Sequence, residues 1–156
     1  MTVFETPSEF HAAFDTLLAH TQRQLRLYDQ DLGRFDIDHL PRHASLRALC
    51  VAGGGRRIEL LLDDIRHVAR DHPRLLQLVR DFGHVIEIRQ ADPAAPRPDQ
   101  AFVLADRQGV LLRADKAAEH GTLHLDAPHD VIPLQQSFEA MWQRSQAVVS
   151  ATTLGL

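Results

Sequence analysis

Residues 101–113 read Ala-Phe-Val-Leu-Ala-Asp-Arg-Gln-Gly-Val-Leu-Leu-Arg. Two apolar runs, Ala101 to Ala105 and Val110 to Arg113, flank Asp106-Arg107-Gln108-Gly109. Short apolar runs joined by a four-residue polar turn ending in glycine predict a β-hairpin. Three more strands are expected upstream of it. Leu25 to Tyr28 alternates leucine with arginine and ends at Tyr28-Asp29. Arg57 to Leu62 is an apolar run between glycines and Asp63-Asp64, the pattern of a buried strand. Val85 to Arg89 alternates again.

Helices separate these strands. Thr6-Pro7-Ser8-Glu9 has the form of a capped helix start, with Phe10, Ala13, Phe14, Leu17 and Leu18 on one face. Pro41 opens a second helix with Leu46, Leu49 and Cys50 facing inward, closed by Gly53-Gly54-Gly55. Pro73 opens a third, running to Phe82 with Gly83 as its stop. Ala91 to Pro98 is a proline-rich loop. After the hairpin, Thr122 to Leu125 reads as a strand. Leu134, Phe138, Met141 and Trp142 mark a final helix, and the tail to Leu156 supplies an edge strand. Strands alternating with helices pair in parallel through crossovers, whereas a hairpin pairs antiparallel. The expected fold is therefore α/β, with a mixed, largely parallel sheet flanked by helices. At 156 residues it is one domain, with residues 1–24 an N-terminal helix packing on residues 25–156.

The composition, 44% hydrophobic and 24% charged, is that of a globular chain. A formal net charge of −4 gives no overall attraction for nucleic acid or anionic membrane, so neither is expected as a partner. The single cysteine, Cys50, can form no disulfide within the chain, which suits a reducing cytoplasm. The N-terminus has no signal-peptide pattern, and no apolar run approaches a membrane span, so a cytoplasmic location is expected. Lys116 is the only lysine.

Candidate chemistry is sparse. His39 and His43, and His120 and His124, are four apart, and His67 and His72 five apart, but no HExxH pattern accompanies them; solvent-facing or capping roles are the ordinary reading. Gly53-Gly54-Gly55-Arg56-Arg57 could cradle an anion. It lies between a helix end and a strand start, however, where a C-cap and turn are expected. Asp29, Asp31, Asp63 and Asp64 follow two predicted parallel strands, where open α/β sheets bind ligands and where carboxylates can hold Mg²⁺ or cap turns. Cys50 lies among apolar residues and reads as a small hydrophobe rather than a nucleophile.

Phe102-Val103-Leu104-Ala105-Asp106-Arg107-Gln108-Gly109 resembles the strand-to-turn segment of phospholipase D-like domains, which carries an HxKxxxxD motif. Phe138-Glu139-Ala140-Met141-Trp142 is similar to the Phe-x-x-x-Trp helix that closes many of them, and the resemblance spans roughly Leu25 to Ser145. It implies a phospholipase D-like half-domain of an uncharacterised, degenerate bacterial group. Asp106 stands at the motif aspartate, but Ala101 replaces the lysine and Asp99 the histidine. The family's histidine is the nucleophile and its lysine stabilises phosphoryl charge, so that reaction is not expected here. Family members pair two half-domains, which implies a homodimer with the Asp106 hairpin near the interface.

The reading that follows is a non-catalytic binding or regulatory domain without a cofactor, taking an unidentified protein or small molecule as ligand. Asp29, Asp31, Asp63, Arg89, Asp106 and Arg113 are its candidate ligand residues. Two alternatives are a metal-dependent phosphodiesterase using Asp29, Asp31, Asp63 and Asp106, and a non-cleaving nucleic-acid binder with Arg89, Arg97, Arg107 and Arg113 along a groove.

Overall fold

A computed structural model describes the backbone of residues 1–149 and the side chains through Ser145. Thirteen elements follow one another: β1 (Thr2–Phe4), α1 (Pro7–His20), β2 (Gln24–Asp29), α2 (Leu40–Ala52), β3 (Arg57–Leu62), α3 (Val68–Asp71), α4 (Pro73–Asp81), β4 (Ile86–Gln90), β5 (Ala101–Ala105), β6 (Gly109–Arg113), β7 (Gly121–His124), α5 (Pro128–Arg144) and β8 (Gln146–Val149). The strands form one sheet in the order β1-β7-β6-β5-β2-β3-β4-β8.

The sheet is mixed, as expected, but its parallel part is small. Only β2–β3 and β3–β4 pair in parallel; the remaining neighbours, including β5 against β2 and β8 against β4, are antiparallel. The expectation of a largely parallel sheet is corrected for a physical reason. A helix crossover returns each of the first strands in the same direction, whereas β5 enters beside β2 from a loop, β6 and β7 follow by short reversals, and β8 returns through α5 to the far edge, antiparallel to β4. The short strand β1 and helix α3 are elements the sequence reading did not contain.

Alternation across the pleat divides the core in two. Leu25, Leu27, Ile58, Leu60, Ile86, Ile88, Val103 and Leu111 face α1, α2 and α4. Tyr28, Leu61, Phe102, Leu104 and Val110 face α5, through Val131, Phe138, Met141 and Trp142. Covering both faces explains why β5 is a continuous apolar run and why β3 is buried from Ile58 to Leu62. Arg26 is a charged residue on the α5 face. Its guanidinium donates to Glu59 at 2.9 Å and to Gln135 and Glu139 at 2.7 Å each, and lies 5.2 Å from the Phe138 ring centroid. It ties α5 to the middle of the sheet.

Local signals act as read at the start of α1 and the end of α2. Thr6 accepts from the Glu9 N–H at 3.1 Å as the N-cap of α1. Gly53, Gly54 and Gly55 all have positive φ, and Gly53 caps α2. Gly121 serves close approach instead. A Cβ there would stand 2.1 Å from the Leu112 carbonyl oxygen and 2.7 Å from the Phe4 ring. Gly121→Ala should therefore prise β7 from β6 and cost roughly 3 kcal/mol by overpacking, read as a lower urea midpoint at unchanged m-value.

Candidate functional site

β5 runs antiparallel to β2, with Phe102 opposite Tyr28 and Ala105 opposite Leu25. This register separates residues that the sequence reading grouped together. Residues 99–101 stand at the carboxyl end of β2 and β3, with Asp29, Asp63 and Arg113. Asp106 stands at the other end, about 15 Å away along a five-residue strand.

At the carboxyl end, two polar clusters occupy opposite faces of the sheet. On the α1 face, Arg113 and Asp29 form a buried ion pair, 2% and 3% exposed at the side chain. Arg113 also donates to the carbonyls of Lys116 at 3.1 Å and Ala118 at 2.9 Å, and lies over the Phe10 and Phe35 rings. The second Asp29 oxygen accepts the Leu32 N–H at 2.9 Å. The pair thus fixes both the loop after β2 and the loop after β6.

On the α5 face, Tyr28, Asp63 and Lys116 close a triangle. The Tyr28 hydroxyl donates to Asp63 Oδ1 at 2.8 Å, and Lys116 Nζ donates to Asp63 Oδ2 at 2.6 Å and to the Tyr28 hydroxyl at 3.0 Å. Arg97 Nη1 stands 3.6 Å from Asp63 Oδ1. Burial, reinforced by the hydrogen-bonded carboxylate of Asp63, pushes the Tyr28 phenol far above its ordinary range, so it remains a proton donor. The Lys116 N–H bonds to the Asp99 carbonyl at 2.8 Å, which places the only lysine beside position 99. Tyr28, Lys116 and Arg97 were not among the candidate ligand residues. Lys116 is 53 residues from Asp63 in the chain, so only the apolar context of Tyr28-Asp29 and the rarity of lysine could have hinted at the cluster.

The other candidates are placed elsewhere. Asp31 accepts the Gly33 N–H at 2.8 Å within its own turn. Asp64 binds Arg66, whose hydrogen bonds hold that carboxyl down at about 2. Arg89 pairs with Glu87 at 2.6 Å and lies 4.2 Å from the Trp142 ring, fastening α5. Asp106, with φ at 56°, accepts the N–H groups of Gln22, Arg23 and Gln24 at 2.7–3.0 Å. It pins the entry of β2 rather than sharing a site with Asp29 or Asp63.

These positions correct the residue sets assigned to the two alternatives. Asp29, Asp31, Asp63 and Asp106 do not converge, and among the described residues no three acidic, histidine or cysteine side chains could hold a metal together. Nor do Arg89, Arg97, Arg107 and Arg113 line one groove. Arg113 is buried against Asp29, Arg89 packs on Trp142, and Arg107 lies at the far end of β5. Cys50 is buried, and burial pushes its thiol up to about 11, as suits a small apolar filler.

Residues 6–154 match the family described as Domain of unknown function (DUF7931). The chain belongs to that family. No curated protein matches the sequence of this DUF7931 chain significantly. Solved structures share its fold at low identity. TrmBL2, an archaeal chromatin protein with a novel mode of DNA binding, superposes with a TM-score of 0.68 at 15% identity, over 94% of this chain and 54% of its own. Nuc from Salmonella typhimurium, a phospholipase D family member, gives 0.66 at 11%, over 93% and 95%. Phosphatidylserine synthase from Haemophilus influenzae Rd KW20 gives 0.67 at 13%, over 99% and 40%. The DUF7931 chain thus spans about half of TrmBL2 and nearly all of Nuc. Its mixed sheet flanked by helices is a phospholipase D-like fold. Among the described residues, no helix is long and apolar enough to cross a membrane.

Proposed function

We propose that the chain is a non-catalytic binding or regulatory domain in which a phospholipase D-like fold has lost its HxKxxxxD chemistry. The observation that carries this reading is the closed triangle of Tyr28, Asp63 and Lys116 beside positions 99 and 101. A nucleophile must be deprotonated or have a base ready to take its proton. Here the phenol is held protonated, and the carboxylate is committed to Tyr28 and Lys116. Asp99 and Ala101 supply neither the imidazole nor the ammonium that the family reaction uses. Lys116 and Arg97 keep N–H donors at the rim, which suits a ligand that offers oxygen acceptors.

The same reading makes the working unit a homodimer, since enzymes of this fold pair two half-domains and the described residues form one. Its interface belongs at the end holding residues 99–101 rather than at the Asp106 turn. The earlier expectation against nucleic acid rested on net charge, and the likeness to a DNA-binding chromatin protein does not favour it.

Hydrolysis of bis(p-nitrophenyl) phosphate between pH 5 and 8 tests the catalytic part. The expected rate is that of buffer alone; turnover that disappears in Lys116→Ala would overturn the reading. Light scattering at micromolar concentration should give the mass of two chains, and a strict monomer would remove the dimer.

A further inference from the structure

The sheet end that carries the Asp106 turn holds three arginines that pair with no carboxylate among the described residues. Arg107 follows β5, Arg23 precedes β2 and Arg56 precedes β3. These strands are neighbours, so the three side chains start from a row about 10 Å long, two strand spacings. Arg56 donates to the carbonyls of Gln22 and Gly53 at 2.9 Å each, and Arg23 to that of Gly54 at 3.2 Å. Arg107 is exposed, and its guanidinium makes no hydrogen bond among the described residues. Several arginines elsewhere are matched, Arg26 by Glu59, Arg42 by Asp15 and Arg66 by Asp64, while Arg47, Arg74, Arg80 and Arg144 also form no ion pair among the described residues; what distinguishes Arg23, Arg56 and Arg107 is that they start from three neighbouring strands.

An open groove of about 520 Å³ runs past Arg23 and Arg107, walled also by Gln22, Gln24, Gln108 and Asp106. Asp106 is the only carboxylate in that wall, and its two oxygens already accept three main-chain N–H groups. Asp126 lies next to Ala127, whose N–H bonds to the Gln108 carbonyl, and it pairs with none of the three arginines. N–H donors therefore exceed acceptors here, although the whole chain carries a net charge of −4.

We propose that this end of the sheet binds a linear chain of phosphate groups, as in inorganic polyphosphate or the backbone of a single-stranded nucleic acid. Guanidinium groups present forked donors that match phosphate oxygens. Their spread along a row, rather than around a point, fits repeated phosphates better than one. The proposal stands apart from the Lys116 cluster and does not depend on it.

The test is fluorescence anisotropy with a labelled single-stranded oligonucleotide at low salt. Three phosphate contacts predict a slope of log K against log salt of about −2. Arg23→Glu with Arg107→Glu should weaken binding at least about tenfold, whereas Arg70→Glu, an exposed control on α3 at the other end of the sheet, should stay within about twofold. Arg107→Glu alone removes a side chain without hydrogen bonds and should still weaken binding about threefold, which guards against misfolding of the double variant. Competition by inorganic polyphosphate would assign any phosphate chain; its failure to compete, with the arginine effect intact, would assign nucleic acid. Absence of binding, an equal loss in Arg70→Glu, or orthophosphate competing as strongly as polyphosphate would each overturn the proposal.

Discussion

Replacing Arg113 with methionine should destabilise the fold by about 3–5 kcal/mol, because it strands a buried carboxylate without its counter-ion. Asp29 is 3% exposed at the side chain and keeps only the Leu32 N–H, while the carbonyls of Lys116 and Ala118 lose their donor. Urea unfolding followed by circular dichroism measures the loss. The double variant Arg113→Met with Asp29→Asn should recover part of it, since no buried charge then remains unpaired. A double variant as unstable as the sum of the singles would show that the two residues act independently. The effect should also reach Lys116, because Arg113 holds the loop that presents it to Asp63.

The second large effect is expected at Asp106. Its alanine variant leaves three N–H groups at the entry of β2 without their acceptor. Hydrogen bonds to a charged group are individually strong, but these amides lie near the surface and water can replace part of the loss, so the expected cost is about 2–4 kcal/mol. The backbone adds a smaller contribution, because φ is 56° and alanine tolerates that region less well than aspartate. Three variants separate the two effects. Asp106→Asn keeps one carbonyl oxygen and should lose about half as much as alanine, and Asp106→Gly should lose less than alanine by about 1 kcal/mol. Urea midpoints of the three variants check the order; equal values for glycine and alanine would show that the backbone conformation contributes nothing.

Together these expectations separate the roles that the motif comparison had joined. Asp106, which that comparison set at the motif aspartate, acts on the backbone of residues 22–24. Positions 99 and 101, which it set at the histidine and lysine, lie at the opposite end of β5, beside Lys116. A binding role at that end and a structural role for the turn are thus independent, and variants at Asp106 should leave the Lys116 cluster intact.

Much of the fold was legible in residues 1–144 because its signals are local. Thr6 with Glu9, the three glycines after α2 and the apolar faces of α1 and α4 each act within one or two turns of chain. The hairpin of residues 101–113 is equally local: its turn residues and two apolar runs decide antiparallel pairing by themselves, in the register Ala101 to Arg113 and Ala105 to Gly109. β1, by contrast, is three residues long and owes its existence to an edge of β7 that lies over a hundred residues away. Periodicity has nothing to report over so short a stretch.

Sequence alone therefore determined most of the elements, the mixed character of the sheet, and that positions 99 and 101 hold neither histidine nor lysine. Each of these depends on residue type or on near neighbours. Tertiary structure alone decided where the hairpin sits. Pairing β5 antiparallel to β2 puts Ala101 and Arg113 at the carboxyl end of β2 and the Asp106 turn at its amino end, so Asp106 shares no site with Asp29 or Asp63. It also brought Lys116 to Asp63 and Tyr28, and gathered Arg23, Arg56 and Arg107 in one row, because strand order across a sheet is set by long-range packing rather than by proximity in the chain.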